Sequence, residues 1–549
     1  MSVNYNSRIL NNAVRALSVN QAVIAATGNN IANVNTPGYA RRTVQLETNV
    51  EGSVSGTLRI GAGVNISNVV RQVDEYMNRI VRDAQGDAAA STVQQDYMKR
   101  VEALFPLAGS NSTIGSSITA FFEAADNLST NPSSIELRAN FVARAGDVVD
   151  SIRTTYNSIA NLQTEIDQRL GSELDSVNSI ADQIAGLNTL ISRVEVDGIS
   201  TANDERDQRD RLLEQLSEKI SFQSVESSDG SISIQLANGF SLVSGATSRH
   251  LEVTNSPSFA TGSAPPSLAG GLLNYIVYDY DQSDSGAAHV DLTSIIGNGS
   301  GTLAGLLAVR GINDANNTSA FDGEGVLVGL ASRVEAVART FLVNINLAYL
   351  GPDRIAGGDY NPSSGDLDGN VPDPFGLFTV DLDAGDDLNT DGDERPELSD
   401  LTALGYDNFA SRLNLTFTDP RRVAAARDLS GGALTPIFAE GDGQNMEALA
   451  ALKDQEYTFA VGSYSLRTTF SGAYNETVSS VGNSRARADL DAKVYGDNLV
   501  TSQNKRDEIS AVNLDEEFTN LIKFQKSFQA SARLIKTAGD LLDTIVSLI

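Results

Sequence analysis

The chain is short of the residues that build most covalent and metal-dependent sites. Its 549 residues contain no cysteine, no tryptophan and only two histidines, His250 and His289. Without cysteine there can be no disulfide, no thiolate nucleophile and no Cys-ligated metal. Two histidines are too few for a His-rich zinc site. The composition therefore predicts a protein without a cofactor.

Long apolar runs and a basic charge balance are also missing. No stretch approaches the roughly 18 apolar residues that a membrane span needs, and residues 22–26 are too short and too late for a secretory signal. We therefore expect no membrane insertion and no cleaved signal peptide, which indicates the cytoplasm unless an export system reads another signal. The formal charge of −30 argues against a general nucleic-acid binder, because phosphate contacts need a basic surface.

The acidic residues are concentrated in one interior segment. Residues 351–400 hold fourteen Asp and Glu against two Arg, whereas the first fifty residues hold four Arg and one acid, Glu47. Residues 351–438 also hold seven of the thirteen prolines. The interior of the chain therefore differs in character from its ends.

The chain does carry a seven-residue apolar repeat at each end. A strict heptad keeps one row of side chains facing a partner helix, because seven residues make nearly two helical turns. We call these rows the N-terminal seam and the C-terminal seam, and we expect them to pair with each other or with neighbouring copies. The N-terminal seam is Val3, Leu10, Leu17, Ile24 and Ile31, and the C-terminal seam is Leu514, Leu521, Phe528, Ile535, Leu542 and Ile549.

Between the ends, the apolar period changes several times. Residues 145–194 keep a mean spacing of about 3.5, which predicts a long helix that winds around other helices. From about residue 222 the pattern alternates with period two, between the hairpin dipeptides Asp229-Gly230 and Asn238-Gly239. Helical spacing returns at about residues 326–349 and again from about Phe459 to Ile509.

These patterns predict a multidomain α+β protein. Both chain ends and the long internal helices form a coiled-coil helical stalk, into which two β-rich outer domains are inserted. The expected divisions are a terminal coiled-coil inner domain (1–35 plus 510–549), a helical shell domain (36–221 plus 311–350 plus 439–509), a first β-rich inserted domain (222–310) and a second, acidic β-rich inserted domain (351–438).

One acidic stretch has half of a calcium loop. Asp387, Asn389, Asp391 and Gly392 repeat the D-x-N-x-D-G opening of such a loop, in which alternating side chains point at one cation. The bidentate Glu should stand where the chain has Leu398, so a solvated acidic loop is the competing interpretation. A calcium site here would favour the alternative function, a secreted calcium-binding adhesin or an enzyme carried by the β insertions.

Two other motifs have ordinary structural interpretations. Acids and arginines alternate along residues 205–211, which predicts a solvated, salt-bridged helix surface. Residues 299–304 match a G-x-G-x-x-A fingerprint without a βαβ context, so we expect a surface loop rather than a dinucleotide site. The chain has no HExxH, G-x-S-x-G or Walker sequence. These observations predict that the protein is not an enzyme.

Both chain ends resemble the bacterial flagellar rod, hook and hook-associated axial proteins. The N-terminal signature covers residues 28–39, where a proline without an N–H donor and a glycine that tolerates positive φ end the first helix. Residues 512–538 are similar to the C-terminal signature of these proteins. Residues 207–213 and 239–243 look like the interior of the family members that form the hook–filament junction. The signature turn consists of Asn33, Asn35, Thr36, Pro37, Gly38 and Tyr39.

The resemblance implies a structural task in the flagellum. Proteins of this family are exported through the flagellar type III apparatus, and the junction members assemble at the hook tip to connect hook and filament. For this chain the resemblance implies an extracellular location at the hook–filament junction, reached without a cleaved signal peptide. The implied partners are a homo-oligomeric ring, the hook protein, a second hook–filament junction protein and a type III export chaperone at the C-terminal helix.

Overall fold

A computed structural model describes most of the chain. The described residues are 2–49, 63–106, 113–195, 201–255, 267–270, 272–278, 290–312, 320–321, 324–351, 364–368, 370, 376–381, 408–428 and 437–547. Side chains are described from residue 9 onward within these ranges, except at 545 and 546. The helices are α1 (Ser2–Ala32), α2 (Glu75–Leu104), α3 (Ile114–Thr130), α4 (Ile135–Val194), α5 (Asn203–Lys219), α6 (Thr293–Gly297), α7 (Thr302–Arg310), α8 (Val326–Leu350), α9 (Phe409–Arg412), α10 (Gln444–Ala450), α11 (Phe470–Ser510) and α12 (Leu514–Ser547).

The longest helix, α4, forms the axis of the body. It has 60 residues and is about 90 Å long at 1.5 Å per residue. The side chain of Ser134 caps its first turn by accepting a hydrogen bond from the backbone N of Leu137 at 3.3 Å. Helices α3, α5 and α8 pack along α4, and α2 packs beside α11. The sequence pattern over residues 145–194 therefore marks a helix wrapped by others.

Phenylalanine rings hold these helices together at one level of the body. Phe341 of α8 lies 5.5 Å from Phe121, 5.1 Å from Phe378 and 5.4 Å from Phe470, measured between ring centroids. Three of these four rings belong to different helices, and all four are fully buried. Edge-to-face contacts of this kind add to the free energy gained by burying the rings.

Every sheet in the described part of the chain is small and antiparallel. The strands pair as β1 with β2, β3-β4-β5-β6 in sequence, β7-β8-β9 in sequence, β10 with β13, β11 with β12 and β14 with β15. The strands are β1 (Arg42–Thr48), β2 (Val64–Arg71), β3 (Gln223–Glu226), β4 (Ile232–Gln235), β5 (Ser241–Ser244), β6 (Thr247–Ser248), β7 (Leu251–Thr254), β8 (Tyr275–Tyr278), β9 (Val290–Asp291), β10 (Ser364–Gly365), β11 (Phe378–Val380), β12 (Leu413–Leu415), β13 (Ala426–Arg427), β14 (Tyr457–Val461) and β15 (Tyr464–Thr468).

Two asparagines of α4 attach the first group of strands to the stalk. The Asn188 side chain is buried, donates to the backbone O of Ile232 at 2.8 Å and accepts from the backbone N of Ile232 at 3.0 Å. Asn178 makes the same pair of bonds with Leu251, at 2.8 and 2.9 Å. Because each amide satisfies a strand's N–H and C=O together, the strands join α4 without leaving buried polar groups unpaired.

One helix expected from the sequence begins too early. The interpretation of residues from about Phe459 onward as helical is wrong in its first part, because residues 457–468 form the hairpin of β14 and β15. Gly462 turns the hairpin with φ +56°, and Tyr457 and Phe459 alternate with exposed residues so that both rings reach Phe470. Helix α11 begins only at Phe470.

The architecture is a helical stalk with β-containing regions, which confirms the expected α+β fold class. Helix α7 lies in the range expected for the first β-rich domain, yet it packs on α2, α4 and α8. The described parts of residues 351–438 pack on α4 and α8. The division into four domains stays a prediction. Among the described helices, none has both the length and the hydrophobicity that a membrane span requires.

Candidate functional site: the paired chain ends

The first and last helices lie side by side. Helices α1 and α12 contact each other along their length, although they come from opposite ends of the chain. Among the buried side chains of α1 and α12 are six that are small or polar and lie seven or fourteen residues apart along their helix, in addition to the buried Val19 and Asn30 of α1. We call them the polar row: Ala13, Asn20 and Thr27 on α1, and Glu517, Ser531 and Ala538 on α12.

The side chains of the polar row let the two helices approach closely. Asn20 donates from Nδ2 to Ser531 Oγ at 3.4 Å, and both side chains are buried. A polar pair at a central heptad position costs stability but specifies one register, because other alignments leave it unpaired. The polar row therefore fixes how α1 and α12 align.

The two predicted seams lie beside the polar row and not at the centre of the contact between α1 and α12. Leu10, Leu17, Ile24 and Ile31 are all partly buried, and so are Leu521, Phe528, Ile535 and Leu542. Leu514 is 39% exposed. The side chain of Val3 and all of Ile549 lie outside the described residues. The role of the seams as assembly surfaces stays a prediction.

The paired helices also carry large apolar side chains that face solvent. On α12, Ile522 is 60% exposed and Leu534 is 55% exposed. Large apolar side chains that stay exposed on a helix pair are candidates for contact with another molecule. Further exposed apolar side chains on these two helices are Ile9, Val14, Phe518 and Leu541.

A buried carboxylate joins α12 to α1 and to the strand that follows. The Glu517 side chain is only 3% exposed. Its Oε2 accepts from Asn30 Nδ2 at 3.1 Å, and its Oε1 accepts from Arg41 Nε at 2.8 Å. Arg41 also pairs with Glu516 at 3.0 Å. Asn513 caps the helix by accepting from the backbone N of Asp515 at 3.0 Å.

The signature turn ends α1 through its own hydrogen bonds. Asn33 donates from Nδ2 to the backbone O of Asn29 at 3.0 Å, and the backbone N of Thr36 donates to the backbone O of Asn33 at 2.9 Å. The Thr36 hydroxyl donates to Asn33 Oδ1 at 3.2 Å. Asn35 and Pro37 are exposed at the tip of the turn. These bonds satisfy groups that a helix end leaves free.

The last two signature residues connect the turn to its surroundings. Gly38 has φ +72°, and a Cβ at this position would overlap Arg211 Cγ. The Tyr39 hydroxyl donates to Asn30 Oδ1 at 2.9 Å, and the Asn30 side chain in turn bonds Glu517. Burial raises the pKa of Tyr39 to about 12, with Arg42 opposing the shift, so the phenol stays protonated. The signature turn is therefore a structural corner that supports the contact of α1 with α12.

The acidic and basic run of α5 is not the solvated surface expected from the sequence. Asp207 and Arg209 are both buried. Asp207 accepts from Arg71 at 2.8 Å and from Arg42 at 3.3 Å, and Arg71 also bonds Asp210 at 2.7 Å. Burial raises the pKa of Asp207, while Arg71 and Arg42 lower it. The run attaches the strands after the signature turn to the body.

Three further contacts surround a cleft of about 380 Å³ between the signature turn, α5 and the end of α11. The backbone N of Arg41 donates to the backbone O of Ser510 at 2.9 Å. Arg211 donates to the backbone O of Pro37 at 3.1 Å, and Arg506 pairs with Glu214 at 2.5 Å. The sequence contained one signal for this joint, since the arginines near residue 41 have few acids beside them and α5 is rich in acids.

The calcium candidates Asp387, Asn389 and Asp391 lie outside the described residues. Within the described ranges, no group of three or more His, Asp or Glu side chains is placed to hold a metal ion. The shorter acidic turn at Asp366 is closed by its own bonds, since its Oδ1 accepts from the backbone N of Asp368 and of Asn370. Calcium binding stays a prediction.

Comparison with known proteins finds matches to flagellar proteins at both chain ends and in the interior of the chain. The profile of the flagellar hook-associated protein FlgK helical domain matches residues 98–349. The profile of the flagella basal body rod protein matches residues 10–39, and that of the flagellar basal body rod FlgEFG protein C-terminal matches residues 503–548. The two terminal matches therefore cover most of the pair formed by α1 and α12.

Full-length relatives agree with these matches. Flagellar hook-associated protein 1 of Escherichia coli (strain K12) is 26% identical over 580 residues, which cover 99% of this chain and 100% of the relative. Flagellar hook-associated protein 1 of Bacillus subtilis (strain 168) is 25% identical over 551 residues, which cover 98% of this chain and 97% of the relative. The chain is therefore similar over nearly its whole length to flagellar hook-associated protein 1 of two distant bacteria.

A solved structure has a similar fold. The flagellar hook junction protein FlgK from Burkholderia pseudomallei aligns with a TM-score of 0.59 at 15% identity, over 79% of this chain and 100% of that chain. In the present chain, the terminal segments that match the rod profiles meet at the polar row, and the matched interior segment contains α4 and nearly all of α8.

Proposed function

We propose that the chain is a structural junction protein of the bacterial flagellum, which assembles at the hook tip and connects the hook to the filament. The observation that carries this proposal is the pairing of α1 with α12, whose sequences match axial flagellar proteins. Its task is mechanical attachment and not catalysis. The relatives that align over the full length have hook-associated names, which supports a role in this assembly.

In this proposal the paired ends form the inner wall of a homo-oligomeric ring. The exposed apolar side chains of α1 and α12 contact neighbouring copies, and the polar row holds each pair in register before assembly. The hook protein lies on one side of the ring and a second hook–filament junction protein on the other. The body around α4 forms the surrounding shell, and the strand-rich regions lie outside it.

The protein reaches this place outside the cell through the flagellar type III apparatus, without a cleaved signal peptide. The absence of cysteine suits export as an unfolded chain, because no unwanted disulfide can form on the way. Before export, a chaperone covers the C-terminal helix. The exposed Phe518 and Ile522 on α12 support this, since such side chains promote aggregation when no partner covers them.

Removing residues 510–549 tests the proposal in a cell that lacks its own copy. We expect hooks without filaments and flagellin released into the medium, because neighbouring copies lose their contact surface. Electron microscopy of hooks and immunoblots of the medium measure both effects. Filaments on the hooks of the truncated strain would contradict the proposal.

A pair of substitutions tests the contact surface more sharply. Leu534→Asp combined with Leu541→Asp places two charges on the exposed side of α12, where they should prevent assembly while the body keeps its fold. Leu190→Asp is the matched control, since Leu190 is 46% exposed but belongs to α4 and not to either terminal helix. We expect filament loss with the double variant and normal filaments with the control. Equal filament counts would refute the assignment of this surface.

A further inference from the structure

A second site lies in the body, away from the paired ends. A cavity of about 580 Å³ opens between α2, the residues that follow α5 and the loop before α7. This volume is within the range of small-molecule sites, roughly 300–1,000 Å³. We call it the Arg82 cavity. The polar side chains that line it include Arg79, Arg82, Ser217, Ser221, Ser224 and Ser300.

Arg82 is the unusual member of this lining. Its side chain is buried, with 8% of the residue exposed. Its one hydrogen bond among the described residues is long, from NH2 to Ser224 Oγ at 3.4 Å. No ion pair in the described part of the chain includes it. A guanidinium has five N–H donors, of which Arg82 uses one in a hydrogen bond among the described residues. Arg82 therefore presents unused donors to the cavity.

Glycines bring the serine hydroxyls to the wall of the cavity. A Cβ at Gly86 of α2 would lie 2.6 Å from Ser300 Oγ, and a Cβ at Gly299 would overlap Ser221 Oγ. The backbone N of Gly301 donates to the backbone O of Gly86 at 3.0 Å. The G-x-G-x-x-A stretch is therefore not a free surface loop. It is clamped against α2, so the cavity is formed before any ligand arrives.

The side chains that line the cavity include more arginines than carboxylates, although the chain as a whole is acidic. Two arginines and one carboxylate, the exposed Asp83, line it, whereas the whole chain carries a formal charge of −30. Glu75 and Glu214 lie near enough to interact with Arg82 through space, but neither forms an ion pair with it. Phe222 adds an apolar wall.

We propose that the Arg82 cavity binds a small organic molecule that carries a phosphate group. Arg82 is the main charge partner, because a guanidinium fork matches two oxygens of such a group. The hydroxyls of Ser224 and Ser300 complete the polar contacts, and Phe222 contacts the apolar part of the ligand. This site is independent of junction assembly.

Isothermal titration calorimetry on the full chain tests the proposal, with inorganic phosphate and glucose 6-phosphate as separate probes. Chloride keeps the ionic strength equal in all titrations, so that a change in screening does not imitate binding. We expect saturable binding with one site per chain for at least one probe. Arg82→Gln should weaken it by about tenfold or more, since a charge-assisted contact is lost.

A second variant keeps the test valid if Arg82→Gln fails to fold. Ala237 is exposed and lines the cavity, so Ala237→Glu adds a repelling carboxylate without touching the core. Ala246→Glu is the matched control, an exposed alanine in the turn between β5 and β6 that is not part of the lining. Weaker binding in Ala237→Glu and unchanged binding in Ala246→Glu would support the site. No saturable binding by the wild type, or full affinity in Ala237→Glu, would overturn it.

Discussion

The body around α4 and the contact between α1 and α12 bury different kinds of side chain. In the body, Phe121, Phe341, Phe378 and Phe470 pack as rings in one fully buried group. Between the terminal helices, the buried row is small and polar, and large apolar side chains remain exposed. A packed aromatic core stabilises a single chain by itself, whereas a polar row chiefly selects an alignment. The comparison indicates that the body folds alone and that the terminal pair gains its full stability in assembly.

The largest effect should come from emptying the body core. Phe341→Ala removes a ring that packs against four others, and we expect a loss of about 3–5 kcal/mol in the free energy of unfolding. Urea denaturation followed by circular dichroism measures it. Phe518→Ala is the control on α12, where the exposed ring should change stability by less than about 0.5 kcal/mol. Similar losses in both variants would remove the difference between the two regions.

The pH dependence of stability should also distinguish the body from the terminal helix pair. Burial raises the pKa of Glu335 to about 7, with Arg339 opposing, although its carboxylate accepts bonds from the backbone N of Phe409 and Ala410. A carboxyl whose folded-state pKa is raised stabilises the fold fully below its unfolded pKa of 4.5 and loses that stabilisation as pH rises through about 7. The loss is on the order of 3 kcal/mol.

The measurement compares the wild type with Glu335→Gln by urea denaturation between pH 4.5 and 8. The variant lacks the titrating group, so the wild type should lose stability relative to it as pH rises. Helix α12 should show no matching change in hydrogen exchange. A constant difference between the two proteins across this range would show that burial does not control this carboxyl.

A smaller and local effect should follow loss of the carboxylate at the start of α12. Glu517→Ala leaves Asn30 and Arg41 without their buried partner, and we expect a loss of about 2–3 kcal/mol confined to the contact of α1 with α12. Hydrogen exchange of the α12 amides measures it, and protection in α4 should not change. Glu516→Ala is the control, because its side chain is 58% exposed. Equal effects at both positions would argue against the buried network.

The smallest effect should come from the signature turn. Gly38→Ala strains a residue with φ +72° and pushes against Arg211, so we expect a loss of about 1–2 kcal/mol in the stability of the terminal pair. In an Arg211→Ala background the part caused by overlap should disappear, and the backbone strain should remain. The rate of proteolytic cleavage after α1 measures the stability of the terminal pair in both variants. An additive double variant would show that the overlap contributes nothing.

Much of the helical frame could be predicted from the sequence, because apolar period and stop signals are local. The helix over residues 145–194, the end of α1 before Pro37 and the cap at Asn513 all follow from such signals. The hairpin at 457–468 was missed because each strand has five residues, too few for an alternating pattern to stand out from helical spacing. These residues form strands rather than a helix because Tyr457 and Phe459 both pack against Phe470.

The sequence by itself determined that the ends of this chain are heptad helices, that they resemble axial flagellar proteins and that cysteine chemistry plays no part. Only the tertiary structure decided which heptad row lies at the centre of the helix pair. Apolar periodicity points to leucine and isoleucine rows, but closeness of approach favours small side chains, so Ala13 and Ala538 are buried whereas the leucine and isoleucine rows are only partly buried. The structure also decided that Asp207 is buried and that Arg82 faces a cavity, since charge along a sequence does not show which charges meet.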